Sequence, residues 1–313
     1  MRAAAVQLNS TEDRTRNLER ADRLTREAAA DGAQLIVLPE KFNVLGEHDA
    51  LQAGAERLGD GPSMSWARDT ARELGIDLVA GSIVERREGR DKLSNTSVHV
   101  GPDGSVRAAY RKIHMFDVTV GGQDYRESEG EEAGDEIVLS DLAGGLPVGL
   151  TVCFDLRFPE LYRILAVRGA RVVTVPSAFT QATGEAGHWE VLLRARAIEN
   201  QAFVVAANQV GFAGDKQSFG ASMIVDPWGE ILARVTSGEA FAAADLDLAR
   251  QEETREQLPS LANRVPEAYR WPMESSGRSS AETDRSGARP TNARPAPLPE
   301  RPACAPAARE ISA

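Results

Sequence analysis

Short β-branched runs alternate with segments of helical periodicity, and this rhythm constrains the fold more than any other feature of the sequence. Ala3–Leu8 is an apolar run, Thr11–Asp31 has apolar residues at helical spacing, and Leu35–Glu40 is a second apolar run. The order strand, helix, strand is typical of βαβ units, in which the helix covers one face of a sheet. The chain is therefore predicted to belong to the α/β class.

The later segments predict more strands than one doubly wound sheet usually holds. Further strands are predicted at Ile76–Val84, Thr96–Val100, Val106–Tyr110, Val148–Val152, Val172–Pro176, Phe203–Ala207, Ala221–Val225, Ile231–Val235 and Phe241–Asp245. Further helices are predicted at Met64–Leu74, Pro159–Arg168, His188–Asn200 and Leu248–Gln257. Two segments, Gly101–Gly104 and Asp226–Gly229, have the composition of hairpin turns. The pattern favours two sheets packed together with helices outside.

The start of the first helix has a capping signal. Ser10 or Thr11 can accept a hydrogen bond from the first turn, and Asp13 adds a carboxylate three residues after Ser10. Gly32 is expected to end this helix.

The charge balance narrows the classes of partner. The chain of 313 residues has a formal net charge of −11. Nucleic acids and anionic membranes are bound by basic surfaces, so neither is expected as a partner of this acidic chain. The expected partner is a small-molecule substrate. No run is long and apolar enough to predict a membrane span, and Ala3–Leu8 is too brief for a signal sequence. With only two cysteines, Cys153 and Cys304, a cytoplasmic location without disulfides is expected.

Cys153 lies at a junction between a predicted strand and a predicted helix. The apolar run Leu146–Val152 precedes it, and Pro159 opens the next helix. The dipole at a helix N-terminus stabilises a thiolate, so the pKa of this thiol is expected to be lowered. The alternative is an inert cysteine in the core, where free cysteine is common.

Glu40 and Lys112 each follow an apolar strand. A carboxylate at the carboxyl edge of a buried strand is well placed for acid or base catalysis. Taken singly, Glu40 can equally be a surface residue that opens a loop, and the pair Arg111-Lys112 is typical of a solvated face.

Together these residue types supply a nucleophile, a base and a cation. A thiol at neutral pH is only partly ionised, so it needs a base, and a glutamate in a dry pocket has the proton affinity to serve as one. Lys112 and the Phe154 backbone N–H are expected to stabilise the oxyanion of a tetrahedral intermediate. This chemistry requires no metal and no other cofactor.

Three segments resemble the catalytic signatures of the nitrilase, or carbon–nitrogen hydrolase, superfamily, and they occur in the family's order. They are Leu38–Glu40, Tyr110–Asp117 and Val152–Leu161. Similar segments follow at Pro176–Phe179, His188–Glu190, Arg194–Gln201 and Met223–Gly229. Residues 1–272 are accordingly identified as one carbon–nitrogen hydrolase domain. Residues 273–313, rich in Pro, Ser, Ala and Arg, are predicted to form a disordered tail in which Cys304 is an incidental thiol.

The resemblance implies a four-layer α-β-β-α sandwich that forms a homodimer through helices, including the helix after Cys153. It also implies a second catalytic glutamate between the lysine and the cysteine. The segment Tyr125–Glu129 matches that position with Glu127 in place. Glu127 is expected to position Lys112 and relay protons; the alternative is that it is one of many solvated acids in this region.

Within the superfamily, these segments are most similar to the amidases that act on deaminated glutathione and to the omega-amidases, which bind substrates that bear a carboxylate. Arg157, Phe179 and Thr183 match positions that line the acyl pocket there. Arg157 is expected to pair with the substrate carboxylate, or else only to anchor the loop after the cysteine. The resemblance predicts hydrolysis of a small carboxylate-bearing amide through a thioester, with release of ammonia.

Two segments depart from the family pattern and leave the substrate open. Gly220–Ser222 lacks a histidine that relatives often have, and Val118–Gln123 is an unusual loop. Hydrolysis of a nitrile or of an N-carbamoyl amine is therefore the alternative reaction.

Other classes of protein stay possible. A papain-like Cys–His site has four candidate bases, His48, His99, His114 and His188. The sequence has no pair of histidines at the spacing that a metal hydrolase requires. A catalytically idle binding subunit is the alternative outside enzymes.

Overall fold

The computed structural model describes residues 1–269. Residues Met1–Arg264 form one compact unit, and a second unit begins at Val265, where a 3-10 turn spans Pro266–Ala268. The predicted domain boundary at residue 272, the predicted tail and Cys304 lie outside the described residues. Across residues 1–269, no helix combines the length and the apolar composition that crossing a bilayer requires.

The strands are short and numerous. In chain order they are β1 (Arg2–Gln7), β2 (Leu35–Val37), β3 (Asp77–Val79), β4 (Ile83–Glu85), β5 (Ser94–Val100), β6 (Val106–Arg111), β7 (Asp117–Val120), β8 (Gln123–Arg126), β9 (Leu139–Leu142), β10 (Leu146–Leu150), β11 (Val172–Thr174), β12 (Phe203–Ala206), β13 (Val210–Ala213), β14 (Lys216–Phe219), β15 (Met223–Val225), β16 (Ile231–Arg234) and β17 (Ala240–Asp245).

The helices lie between them. They are α1 (Arg14–Ala30), α2 (His48–Gly54), α3 (Pro62–Leu74), α4 (Glu127–Gly130), α5 (Pro159–Val167), α6 (Gln181–Glu185), α7 (His188–Asn200) and α8 (Leu248–Gln257). A 3-10 helix at Cys153–Arg157 precedes α5.

The strands form two large mixed sheets and two separate hairpins. The first sheet has the order β17-β1-β2-β3-β5-β4, with β6 paired to β5, and the second has the order β16-β15-β12-β11-β10-β9. Strands β1, β2 and β3 run parallel, as do β10, β11 and β12, whereas the outer pairs are antiparallel. The hairpins β7–β8 and β13–β14 stand apart from both sheets.

Alternate residues of the first sheet face two different sets of neighbours. Ala3 and Val37 belong to a core shared with the second sheet's Leu150, whereas Ile36 belongs to a core shared with Leu24 of α1. Successive side chains of a strand point to opposite faces, so one face of this sheet meets the other sheet and the opposite face meets helices. Helices α5 and α7 contact the second sheet through β10, β12 and β15. The predicted α/β class, with two sheets and helices, is confirmed.

Three local predictions were wrong. Helix α1 begins at Arg14 because Asp13 is its cap: the Asp13 carboxylate accepts a hydrogen bond from the Arg16 N–H, whereas Ser10 donates to the carbonyl of Phe42. The single strand predicted at Ile76–Val84 is two strands, because the chain turns at Gly81.

The third concerns the segment predicted as an unusual loop, Val118–Gln123. It belongs to the β7–β8 hairpin, whose turn is made by Gly121 and Gly122, both with positive φ. Two consecutive residues with φ above zero are typical of the tight turns that join hairpin strands.

Candidate active site

Three buried side chains from distant parts of the chain meet in one cavity. Glu40 follows β2, Lys112 follows β6 and Cys153 follows β10, and all three line the cavity. The ammonium nitrogen of Lys112 lies 3.0 Å from Oε1 of Glu40. The structure therefore brings together the nucleophile, base and cation predicted from the sequence, at a place where both sheets contribute strand ends.

Glu127 lies on the other side of Lys112. Its two carboxylate oxygens are 2.9 and 2.7 Å from Nζ of Lys112, and Oε2 also accepts a hydrogen bond of 2.7 Å from the Phe116 N–H. Although burial alone would raise it, Lys112 and then Lys41 lower the pKa of Glu127 to about 2. Glu127 is thus a carboxylate that holds Lys112, rather than one of several solvated acids.

Asn95 joins the two glutamates, and the sequence analysis missed it. Its amide nitrogen donates to Oε1 of Glu40 over 2.8 Å and to Oε1 of Glu127 over 3.1 Å. Asn95 is fully buried in β5, next to the strand end that carries Lys112, and the Lys112 N–H donates to the Asn95 carbonyl. Most residues of β5 are polar, so no local signal in the sequence distinguished Asn95 from its neighbours.

The backbone around Glu40 fixes the direction of its side chain. Oε2 of Glu40 accepts a hydrogen bond of 2.8 Å from the Ala178 N–H. Gly81 passes so close to the end of β2 that a Cβ on it would lie 1.9 Å from the Pro39 carbonyl oxygen, and its φ is +41°. Ser82 then accepts from the Lys41 N–H through its hydroxyl. Only glycine fits where these two segments cross.

Cys153 occupies a sharp turn. Its φ of +48° is in the left-handed region, which side chains other than glycine rarely adopt, and its N–H donates to the Pro176 carbonyl over 2.8 Å. Cys153 opens the 3-10 helix and Phe154 is the second residue. The first N–H groups of a helix have no acceptor inside it, which makes the Phe154 N–H available to an oxyanion.

The expected lowering of the cysteine pKa was wrong. Burial raises the pKa of the Cys153 thiol well above its usual value, and the nearby Glu40 carboxylate raises it further, whereas Lys112 acts in the opposite direction. Desolvation and a like charge outweigh the field of one short helix. The resting thiol is therefore neutral, and its activation depends on transfer of its proton.

Asp155 organises the turn that carries Cys153. This buried carboxylate accepts hydrogen bonds from the Tyr110 hydroxyl over 2.7 Å and from the Val152 N–H over 2.8 Å. It also lies 2.7 Å from Nδ1 of His114, whose ring stacks on Phe158. His114 is therefore engaged with Asp155, and no contact between Cys153 and a histidine is recorded among residues 1–269.

The predicted substrate-binding residues lie beside the cavity. It has a volume of about 400 Å³, and none of Arg157, Phe179 and Thr183 is among its lining residues. The Arg157 guanidinium lies 5.3 Å from the centre of the Phe179 ring, and the Thr183 hydroxyl bonds to Thr180. Within the described chain, Arg157 has no carboxylate partner, and its guanidinium lies 3.3 Å from Nδ1 of His188.

Comparison with known proteins assigns the family. Residues 2–256 match the carbon-nitrogen hydrolase family. The deaminated glutathione amidase of Bos taurus is 41% identical over 273 residues, which cover 85% of this chain and 82% of the relative. The omega-amidase NIT2 of Homo sapiens is 39% identical over 272 residues, which cover 86% and 96%. The crystal structure of Saccharomyces cerevisiae Nit3, a member of branch 10 of the nitrilase superfamily, matches with a TM-score of 0.76 at 32% identity, covering 83% of this chain and 94% of Nit3.

The chain belongs to the carbon–nitrogen hydrolase family, and it has the α/β fold of the nitrilase superfamily. The resemblance seen in its sequence is confirmed.

Proposed function

We propose that this enzyme is an amidase that hydrolyses a small carboxylate-bearing amide through a thioester on Cys153. The observation that carries the proposal is the Lys112 ammonium held between the carboxylates of Glu40 and Glu127 in the cavity that Cys153 lines. The set of a buried thiol, a base and a fixed cation suits attack on a carbonyl carbon.

Acylation begins with proton transfer. Glu40 takes the thiol proton as Sγ of Cys153 forms a bond to the amide carbon. Negative charge then collects on the carbonyl oxygen, where the Lys112 ammonium and the Phe154 N–H donate hydrogen bonds to it. The carbon–nitrogen bond breaks, Glu40 returns the proton to the nitrogen, and ammonia leaves a thioester behind.

Deacylation repeats the sequence with water. Glu40 takes a proton from a water molecule, and the resulting hydroxide attacks the thioester carbon. The carbon–sulfur bond breaks, the proton returns to sulfur, and the carboxylic acid leaves. Glu127 and Asn95 keep Lys112 and Glu40 in place through both steps, because each contacts one or both of these side chains.

The substrate class follows from the relatives and from Arg157. Relatives named omega-amidase and deaminated glutathione amidase cover most of the chain. Arg157 is half-buried and close enough to Cys153 to interact with its charge, so a substrate carboxylate would supply the partner it lacks among the described residues. Phe179 and Thr183 would then shape the same side of the acyl group.

A cationic substrate is the second candidate. Six carboxylates line the cavity against four lysine and arginine side chains: Glu40, Glu47, Asp124, Glu127, Glu129 and Glu131, against Lys41, Lys112, Arg126 and Lys216. An excess of acidic groups favours a positive ligand, such as an N-carbamoyl diamine whose second amine is free and protonated.

The finer architecture and the assembly are part of the proposal. The core shared by the two sheets, with α1 and α3 on one side and α5 and α7 on the other, supports a four-layer α-β-β-α sandwich. Helices α5 and α7 also expose apolar side chains, which supports a homodimer formed through them: Ile164, Val167, Val191 and Ile198. A reactive free thiol and an acidic chain suit a cytoplasmic enzyme that binds no membrane or nucleic acid.

The test is release of ammonia from a panel of keto-acid amides, deaminated glutathione, neutral amides, N-carbamoyl amines and nitriles. The Cys153→Ala variant keeps the Cβ and should lose all activity, and Glu40→Gln should lose about 10²- to 10⁴-fold in kcat. Full activity of Cys153→Ala would overturn the mechanism. Absence of turnover across the panel, with a folded protein, would favour the idle binding subunit.

A further inference from the structure

Two charged side chains in the cavity wall have no part in the reaction described above. Lys41 directly follows Glu40, and Glu131 lies one helical turn after Glu127. Both line the cavity and both are buried. Burying a charge is unfavourable unless it is paired, so two further ionic groups at this place need a physical reason.

The backbone directs both side chains toward the catalytic cluster. Lys41 has a φ of +50°, in the left-handed region, and the Ser82 hydroxyl holds its N–H. The Glu131 N–H donates to the Glu127 carbonyl over 3.0 Å, which closes one turn of helix. Glu131 is the extended residue that follows α4, and its carboxylate reaches the Lys41 ammonium, as that of Glu127 does.

The result is a row of five alternating charges. Nζ of Lys41 pairs with Oε1 of Glu131 and lies 3.8 Å from Oε1 of Glu127. The row then continues through Lys112 to Glu40. We propose that Lys41 and Glu131 are positioning residues, an outer ion pair whose charges set the electrostatic field at Glu127, Lys112, Glu40 and Cys153.

The two members of the outer pair act in opposite directions. The Lys41 ammonium favours the ionised form of each nearby acid, and the Glu131 carboxylate disfavours it. Lys41 lies between Glu131 and the inner groups, so its effect is the larger of the two. Consistent with this, the pKa of Glu127 is lowered by Lys41 as well as by Lys112, against the effect of burial.

Other titratable groups lie around the row, and they are present unchanged in every variant of the outer pair. Asp117 of β7 accepts from the Ser128 N–H and interacts with Glu127. The ring of His48 on α2 lies against Gly130. Glu129 and Arg126, which flank Glu127 in the chain, also line the cavity.

The experiment compares Lys41→Met with Glu131→Gln. For each, the alkylation rate of Cys153 by iodoacetamide is followed against pH on the Cys153 peptide by mass spectrometry, and kcat/KM is followed against pH with the best amide substrate. Lys41→Met should move the Cys153 alkylation profile and the acidic limb of kcat/KM to higher pH, by about one unit. Glu131→Gln should move the Cys153 alkylation profile to lower pH by a smaller amount, and should leave the acidic limb of kcat/KM in place below about pH 7, where Glu131 is already protonated.

Two further variants serve as controls. Glu132→Gln removes the next acid along the chain, which pairs with Arg87 outside the cavity, and should leave both profiles unchanged. The double variant Lys41→Met/Glu131→Gln removes both charges together and should give a shift to higher pH smaller than that of Lys41→Met alone. It also remains measurable if a single variant fails to fold, because no buried charge is left without its partner.

Opposite shifts are the result that a purely structural ion pair would not give. Shifts of the same sign in the two single variants, or no shift in any variant of the pair, would overturn the inference. The kcat/KM profile rests on the proposed amide hydrolysis, whereas alkylation requires no turnover. Opposite alkylation shifts in a protein that hydrolyses no amide would therefore support the outer pair while rejecting the proposed function.

Discussion

The Tyr110 hydroxyl donates a 2.7 Å hydrogen bond to the Asp155 carboxylate, and this bond ties the strand that leads to Lys112 to the turn that carries Cys153. Both partners are buried. Burial and the adjacent carboxylate raise the pKa of Tyr110 well above its usual value, so the tyrosine remains a hydrogen-bond donor even in alkaline solution. One neutral hydroxyl thus helps to fix the relative position of Cys153 and Lys112.

Tyr110→Phe tests this tie. Asp155 keeps its bond to the Val152 N–H but loses one donor, so we expect a loss of about 1–3 kcal/mol in the free energy of unfolding and a fall in kcat of about tenfold. Tyr162→Phe is the matched control, since that buried hydroxyl bonds to Thr151 instead. Denaturant unfolding and steady-state kinetics give both quantities. Equal losses of kcat in the two variants would contradict a specific role for the bond to Asp155.

Replacement of Asn95 should affect catalysis more than stability. Asn95→Ala removes an amide that bonds both glutamates, and we expect kcat to fall by about tenfold or more. Asn95→Asp should be worse, because a third carboxylate there repels the negative charges of the two glutamates and moves the acidic limb of kcat/KM to higher pH. Asn17→Ala, a buried amide that bonds loop carbonyls, should lower the melting temperature and spare kcat. An unaltered pH profile in Asn95→Asp would argue against the bridge.

Glu131 makes stability depend on pH. Burial raises its pKa to about 7 in the folded chain, whereas an unfolded glutamate titrates near ~4.3. Between these values the folded state retains a proton that the unfolded state releases, so the free energy of unfolding falls as pH rises through this window. Glu131→Gln removes this dependence. Whatever the constant cost of leaving Lys41 without Glu131, the difference in free energy of unfolding between variant and wild type should change by up to about 3 kcal/mol in the variant's favour between pH 4.5 and 8. Urea unfolding across this range measures the difference, and parallel curves would refute the assignment.

Arg157 should discriminate substrates by charge. For Arg157→Ala we expect KM for the monoamide of a dicarboxylic acid to rise about 10- to 100-fold, while a neutral amide of equal length is little affected. Arg126→Gln alters another arginine, one that lines the cavity and is exposed. If Arg126→Gln raises KM for the monoamide but not for the neutral amide, and Arg157→Ala does not, the carboxylate is bound at the cavity wall instead.

The apolar face of α7 should carry the dimer contact. Val191 and Ile198 lie two turns apart and are 66% and 46% exposed. Val191→Glu/Ile198→Glu should convert a dimer into a monomer in sedimentation velocity, because charged groups are strongly disfavoured in an apolar interface. Phe212→Glu, an exposed aromatic of β13, should leave the assembly unchanged. A monomeric wild-type protein would end this part of the proposal.

The sequence predicted the elements whose signals are local. Helices α7 and α8 have the predicted bounds, and the turns at Gly101–Gly104 and Asp226–Gly229 join paired strands. The positions of Glu40 and Lys112 at strand ends followed from the apolar runs before them. Periodicity and turn composition are sufficient for such features.

Properties that depend on long-range contacts could not be predicted in this way. Asn95 acts through two glutamates that lie 55 and 32 residues away in sequence, so nothing near it reports its role. The Cys153 pKa was predicted in the wrong direction because burial and the Glu40 charge are invisible in the local pattern. The row from Glu131 to Glu40 likewise exists only once β2, β6 and α4 are assembled.

Gly81 has a consequence for any attempt to change the substrate range by mutagenesis. Its backbone lies against the carbonyl of Pro39, the residue before the proposed base Glu40, in space that no side chain can share. A library of variants that allows alanine at position 81 would include proteins in which Glu40 is displaced although every cavity residue is unchanged. A screen for new activity would then reject variants with suitable cavity substitutions because of the change at Gly81, a residue that touches no substrate.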